Sequence, residues 1–118
     1  MASIDSEMRV IFLSARHRHV RFGEWVRTER MSQKKTQHWL AGRLQVSAQY
    51  LSRVELGDHG PSRSIAMRLA RILKVDEDET LVRAGLMPLD LLSFLERNPS
   101  WIQKLRRACD RIRHEEVL

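Results

Sequence analysis

Apolar positions recur along most of the chain with the spacing of a helix face, and the alternation that marks strands is almost absent. Phe22, Trp25 and Val26 lie at i, i+3 and i+4, which predicts a first helix over residues 22–33. A clearer amphipathic stripe follows Ser62, and its members are Ile65, Ala66, Leu69, Ala70, Ile72 and Leu73. The pattern predicts an all-α fold.

Residues that cap helices set the boundaries between these stripes. Thr36 and Ser47 are good N-caps, and Gly57 and Gly85 are good helix ends. An acidic run suits the positive end of a short fifth helix. The five helices predicted from these signals cover residues 22–33, 37–44, 48–56, a stretch from Ser62, and about 77–84.

Two further helices are predicted after Pro88. A short one carries Leu89, Leu92, Phe94 and Leu95. Asn98 and Pro99 then predict the start of the last helix, with Asn98 as its cap and Pro99 in its first position. Its apolar stripe contains Trp101, Ile102, Leu105, Ala108, Cys109 and Ile112, so Cys109 is expected in a core.

The N-terminal segment gives a weaker signal. The apolar stretch from Arg9 to Ala15 fits a short strand or one helical turn, and periodicity does not separate the two. A basic stretch, Arg16 to Arg21, follows it directly. The expected organisation is an arm or short strand at 1–21, a domain at 22–87 and a helical extension at 88–118.

Charge is distributed unevenly along the chain. The net charge is +6 and the pI is about 10.4. Residues 1–75 hold 14 Lys and Arg against 6 Asp and Glu, whereas residues 76–118 hold 7 against 9. A basic first part of this kind favours an anionic partner, and the near-neutral second part favours a different task.

Several classes of protein are disfavoured by composition. The single cysteine allows neither an intrachain disulfide nor a multi-cysteine zinc site, and His17 and His19 have no further ligand nearby. No apolar run approaches the ~18 residues of a membrane span, and no signal-peptide pattern opens the chain. We therefore expect a cytoplasmic protein with no metal, no cofactor and no membrane partner.

The second and third helices meet the demands of a helix pair that reads DNA. Leu40, Ala41 and Leu44 allow a close helix crossing, and the third helix has its own apolar inner face. Its outer face shows groups that can pair with base edges: glutamine with adenine, arginine with guanine, serine with several edges, and alanine with the thymine methyl group. The candidate base-contacting residues are Ala48, Gln49, Ser52 and Arg53.

The stretch TQHWLAGRLQVSAQYLSRVELG, residues 36–57, resembles the phage-repressor type of helix-turn-helix found in Cro- and Xre-like regulators. Phe22-Gly23 and Val26-Arg27 resemble the start of that family's first helix. Pro61-Ser62, Leu69-Ala70, Leu73-Lys74-Val75 and Ala84-Gly85 continue the register, so the resemblance covers residues 22–88. It implies a five-helix repressor-like domain, here with a basic N-terminal arm and two extra C-terminal helices.

The resemblance also implies roles for single residues. Gln37 is expected to contact phosphate and to brace a side chain of the third helix. Tyr50, Ser62 and Arg63 correspond to positions that contact the DNA backbone, which orient a protein without reading sequence. Glu55 corresponds to a structural acidic position, for which Arg27 is the expected partner.

Lys34 and Gln45 stand where the family usually has glycine. Glycine permits a positive φ there, so lysine and glutamine predict strain or an altered turn.

The segments outside this domain leave alternatives open. Arg16, Arg18 and Arg21 are candidate contacts of an arm that reaches along a neighbouring minor groove, and a solvated basic lead-in is the alternative. The C-terminal helices are expected to form a dimer or partner interface through Leu92, Leu95, Trp101, Leu105 and Ile112.

These features predict a nucleoid-associated, sequence-specific transcriptional regulator. It is expected to be a homodimeric repressor whose third helix enters the major groove of double-stranded DNA. The expected binding site is a pseudo-palindrome. The alternative is an antitoxin or accessory subunit that binds a protein partner, a toxin or another regulator, through its C-terminal helices and DNA for autoregulation. An enzyme is disfavoured, because the sequence shows no nucleophile–base pair, phosphate-binding glycine loop or metal cluster; no catalytic residue is expected.

Overall fold

The computed structural model describes the backbone of residues 4–117 and the side chains of residues 17–115. Within those limits every secondary-structure element is an α-helix, which confirms the all-α prediction. The helices are α1 (Ile4–Ser32), α2 (Gln37–Leu44), α3 (Ala48–Leu56), α4 (Arg63–Leu73), α5 (Glu77–Arg83), α6 (Leu89–Arg97) and α7 (Ser100–Val117).

The chain divides into two compact units, Met1–Leu86 and Met87–Leu118. The first contains α1 to α5 around one core, and the second contains α6 and α7. Within the first unit, α3 packs against α1 and α2, while α4 packs against α2 and α5. The fully buried core side chains are Phe22, Val26, Leu40, Leu44, Leu51, Val54, Leu69 and Leu73, joined by Ala41 and Ala66.

The caps expected for α2 and α3 are confirmed. The Thr36 hydroxyl accepts a hydrogen bond from the backbone N–H of Trp39 at 3.0 Å, and Ser47 does the same for Tyr50 at 3.0 Å. Both side chains satisfy N–H groups that have no partner inside the helix. The two helices consequently begin and end where the sequence predicts, and Gly57 ends α3 with a φ of 85°.

Three helices end at a left-handed residue that is not glycine. Lys34 has a φ of 57°, Gln45 of 60° and Lys74 of 57°. Of the two outcomes expected at Lys34 and Gln45, strain or an altered turn, the strained positive φ is the one observed, whereas the positive φ of Lys74 was not predicted. After the last two, the N–H of Val46 donates to Ala41 and that of Val75 to Ala70, which closes the final turn in the Schellman pattern.

The short strand considered for Arg9 to Ala15 is wrong, because this segment lies in α1. The basic stretch that follows is also helical, so the chain has no extended arm between residues 4 and 21. Residues 4–22 contain neither glycine nor proline, and nothing in their sequence stops a helix. The first three residues of the predicted arm lie outside the described part of the chain.

Helix α1 crosses α3 at Gly23. A Cβ atom at this position would lie 2.4 Å from the carbonyl oxygens of Val54 and Glu55. Only glycine allows the two helix backbones to approach so closely. This contact places the inner face of α3 against α1 and leaves its opposite face exposed.

The second unit differs from the prediction at its turn and in its packing. Asn98 ends α6, and its side-chain amide donates to the carbonyl of Phe94 at 3.0 Å instead of capping α7. Cys109 is exposed, contrary to the core position expected for it, because α6 and α7 cover only part of the apolar stripe. The Phe94 and Trp101 rings meet edge to face at 5.7 Å between centroids.

Among the described residues, no helix is both long and apolar enough to cross a membrane.

Candidate nucleic-acid interface

The outer face of α3 carries the predicted base-contacting side chains in an accessible position. Ala48, Gln49 and Arg53 are exposed, and Ser52 is half-buried. On the opposite face Leu51 and Val54 are fully buried in the core. The helix is therefore fixed by one face and presents uncharged polar groups and one arginine on the other.

A buried ion pair ties α3 to α1. The Arg30 Nε donates to Glu55 Oε2 at 2.8 Å, and its Nη2 donates to Glu55 Oε1 at 2.9 Å, which makes the pair bidentate. Nη1 donates to the backbone carbonyl of Lys35 at 2.8 Å and so also holds the α1–α2 turn. The hydrogen bonds to Glu55 raise the pKa of the Arg30 guanidinium above its ordinary value, although burial opposes this.

The structure corrects the expected partner of Glu55, which is Arg30 and not the exposed Arg27. Arg30 lies three residues further along α1, where its side chain reaches the buried carboxylate. The sequence contained one signal for this choice. Val26 and Arg30 are four residues apart on the helix, so Arg30 shares the buried face of Val26.

Gln37 is held by the same carboxylate. Its Nε2 donates to Glu55 Oε1 at 3.0 Å, so the first residue of α2 is braced against a side chain of α3. The predicted bracing is therefore present, with Glu55 as the residue involved. The Gln37 side chain remains half-exposed at the start of α2. A helix start offers backbone N–H groups and a positive dipole end, which suit a phosphate.

The start of α4 has a similar character. Ser62 caps this helix, accepting from the N–H of Ile65 at 3.2 Å, and Arg63 is its first residue. Tyr50 is half-buried against the core in the first turn of α3. With Gln37 at the start of α2, the four residues predicted to contact the DNA backbone therefore lie at the starts of α2, α3 and α4.

One interaction that the sequence did not predict fixes the end of α2. Arg68 on α4 donates from Nη1 to the carbonyl of Leu44 at 3.0 Å. This carbonyl belongs to the last turn of α2, where no partner exists within the helix. Arg68 thereby stabilises the turn that leads into α3.

The described arginines of the N-terminal segment lie on α1. Arg18 and Arg21 are exposed on α1, and the side chain of Arg16 lies outside the described residues. Arg18 and Arg21 line a cleft together with residues of α5. They therefore project from a folded helix packed on α5.

The residues predicted to form a dimer interface lie on the α6–α7 hairpin, the second unit of the chain. Leu92, Trp101, Leu105 and Ile112 are 38–55% exposed, and Leu95 is half-buried. In α6 no residue is buried. The apolar stripe predicted for the two helices therefore exists and is largely open to solvent.

Helices α2 and α3 cross closely, and α3 presents a polar outer face. This arrangement defines a helix-turn-helix protein. A family profile described as "Helix-turn-helix domain" matches residues 21–81, slightly more than half of the chain. The chain belongs to this helix-turn-helix family, which confirms the predicted membership.

Two HTH-type transcriptional regulators, uncharacterized by name and from two strains of Mycobacterium tuberculosis, are each 35% identical to the chain over 65 residues. The match covers 55% of this chain and 46% of theirs, so the chain spans about half the length of these relatives. The clp gene regulator ClgR from Corynebacterium glutamicum has a similar fold, with a TM-score of 0.51 at 21% identity. That similarity covers 77% of this chain and 92% of ClgR.

Proposed function

We propose that the protein is a sequence-specific DNA-binding transcriptional regulator that acts as a homodimeric repressor. The observation that carries this proposal is the outer face of α3, which exposes side chains that can hydrogen-bond to base edges. The Glu55–Arg30 ion pair fixes the opposite side of this helix to α1. Gln49 and Arg53 have the side chains for bidentate pairing with adenine and guanine, and Ala48 and Ser52 flank them. The DNA contacts proposed here do not include Arg18 and Arg21.

The phosphate contacts would come from residues beside this face. Gln37 lies at the start of α2, and Ser62 and Arg63 lie at the start of α4, where helix dipoles favour anions. Tyr50 joins them from the first turn of α3. Such contacts fix the register of the protein on the duplex, and the base-facing side chains then determine the sequence.

The dimer would form through the α6–α7 hairpin. An isolated unit of fewer than about 40 residues rarely folds without a partner or another support, and this hairpin leaves most of its apolar side chains exposed. Pairing of two hairpins would cover them. Two copies of α3 would then read half-sites about 34 Å apart on a pseudo-palindromic site.

A selection from randomised duplex DNA tests the proposal, together with a mass measurement in solution. We expect an enriched two-fold symmetric motif and a mass twice the 13.9 kDa of the chain. A selection that enriches no motif would refute sequence reading. A monomer with a stoichiometric protein partner on the hairpin would instead support the antitoxin or accessory subunit.

A further inference from the structure

Three arginines surround a cleft between α1 and α5, on the side of α1 away from α3. The cleft has a volume of about 330 Å³ and is lined by Arg18, Arg21, Phe22, Val82 and Arg83. This volume is at the lower end of the range for small-molecule sites. Guanidinium groups and the exposed Val82 side chain thus face the same small space, to which the buried Phe22 contributes little surface.

Two neighbouring side chains orient Arg83 at this cleft. Its Nη2 lies 2.9 Å from Glu79 Oε1, and its guanidinium carbon lies 5.0 Å from the centre of the Trp25 ring. An ion pair combined with stacking on an aromatic ring limits the freedom of a long side chain. Arg83 therefore offers a cationic group that Glu79 and Trp25 orient, with the side chains of the ion pair 45% and 50% exposed.

Arg18 and Arg21 supply charge that the described residues do not neutralise. They are three residues apart on one face of α1, where like charges destabilise a helix, and neither has an ion pair in the described part of the chain. The Arg18 side chain crosses Gly85, whose added Cβ would lie 2.9 Å from Arg18 Cδ. With Glu79 counted, these groups carry a net charge of +2.

The position of the cleft separates it from the proposed DNA-reading face. Val20 and Gly23, on another face of α1, contact the end of α3: Val20 at Gly57, and Gly23 at the last turn. Arg18, Arg21 and Trp25 follow a spacing of i, i+3 and i+7, which places them on a common face. Since α1 lies against the inner face of α3, the cleft is remote from Gln49 and Arg53.

We propose that this cleft binds a small dianion with an apolar substituent, such as a phosphate monoester. The oxyanion would accept charge-assisted hydrogen bonds from Arg18, Arg21 and Arg83. The apolar substituent would lie against Val82, which is 61% exposed. The site is independent of the DNA contacts proposed for α2, α3 and α4, none of which involves its residues.

Isothermal titration of the full chain with phenyl phosphate and with inorganic phosphate, at constant ionic strength, tests the proposal. We expect one phenyl phosphate per chain and weaker binding of inorganic phosphate, which lacks the apolar group. The double variant Arg18→Gln/Arg21→Gln should lose about tenfold or more in affinity. Arg27→Gln/Arg107→Gln, which removes the same charge at exposed positions outside the cleft, should bind as the wild type does.

Absent binding in the wild type, or equal losses in both double variants, would overturn the proposal. If the first double variant does not fold, Arg21→Gln alone provides the test, because it retains Arg18 across Gly85. These arginines could instead contact DNA phosphates. The salt dependence of binding to random-sequence duplex DNA distinguishes that use from the binding of a small anion. A slope reduced by about 0.9 for each arginine removed would assign them to DNA phosphates and refute the small-anion site.

Discussion

Gln45 and Lys74 occupy equivalent points in two similar stretches of the chain. Leu44-Gln45-Val46 precedes the cap Ser47, and Leu73-Lys74-Val75 precedes the cap Asp76. In both, a buried leucine ends one helix and the next residue is left-handed. The left-handed conformation of Gln45 is predictable, because the family usually has glycine at this position. That of Lys74 is not, because it follows from the packing of the neighbouring residues.

Replacing Gln45 with glycine should stabilise the protein. An L-residue in the left-handed region costs roughly 1–2 kcal/mol, which glycine avoids, although its greater freedom when unfolded offsets part of the gain. We expect Gln45→Gly to raise the free energy of unfolding by about 0.5–1 kcal/mol in urea denaturation. Gln45→Ala removes the same exposed side chain but keeps the strain, so it should show no such gain. Equal effects of the two substitutions would contradict this explanation.

At the surface proposed to face DNA, single side chains are expected to have separable effects. Arg53→Ala should relax the preference at one base pair of the selected site and cost about 1–3 kcal/mol there, because a bidentate contact to guanine is lost. Arg63→Ala serves as the comparison and should weaken binding to all sequences alike. Binding measured to a set of single-base variants of the site distinguishes the two patterns. A uniform loss with Arg53→Ala would contradict its assignment to base reading.

Helix α1 shows what sequence patterns predict for an element and what they miss. The apolar spacing of Phe22 and Val26 indicates the inner face of the helix, and both residues are buried in the core. The half before Phe22 was ambiguous, since a short apolar stretch fits a strand as well as a helix. The absence of glycine and proline before Gly23 was the more reliable signal. The spacing of Val26 and Arg30 places Arg30 on the buried face, but its pairing with Glu55 also depends on the rotation of α1 against α3, which local patterns do not specify.

The crossing of α1 and α3 should not tolerate a methyl group. Gly23→Ala would place Cβ against two backbone oxygens that cannot move without shifting α3, so we expect at least about 1–3 kcal/mol of destabilisation. Gly42→Ala is a matched control, because the added Cβ there meets no atom within 4 Å in the same α-helical setting. Thermal unfolding of both variants would measure the difference. Equal melting temperatures would contradict the close approach at Gly23.

For the whole molecule, the two units differ in how they bury apolar side chains. The first unit has a closed core, whereas α6 has no buried residue. The sequence predicted the apolar stripe of α7 but not that Cys109 and its neighbours would stay exposed. Periodicity identifies a helix face that needs a partner. It does not show whether the partner belongs to the same chain.

A charge on the exposed stripe of α7 should prevent the proposed pairing. Leu105 is 48% exposed, and Leu105→Glu would place a carboxylate in the apolar contact, which is costly without a partner. We expect the solution mass to fall towards that of one chain and the affinity for a two-fold site to fall more than that for a half-site. Gln103→Glu adds the same charge at an exposed position outside the stripe and should leave the mass unchanged. A dimer that persists in Leu105→Glu would contradict this interface.

The hydrogen bonds of Glu55 have a consequence for any mutational scan of this protein. One carboxylate holds both Arg30 behind α3 and Gln37 at the start of α2. A substitution at Glu55 leaves a buried guanidinium without its counter-ion, and losing one member of such a pair costs about 3–5 kcal/mol. Its binding defect would resemble that of a contact residue although Glu55 is buried. Only scans normalised to the folded fraction would separate the two kinds of position.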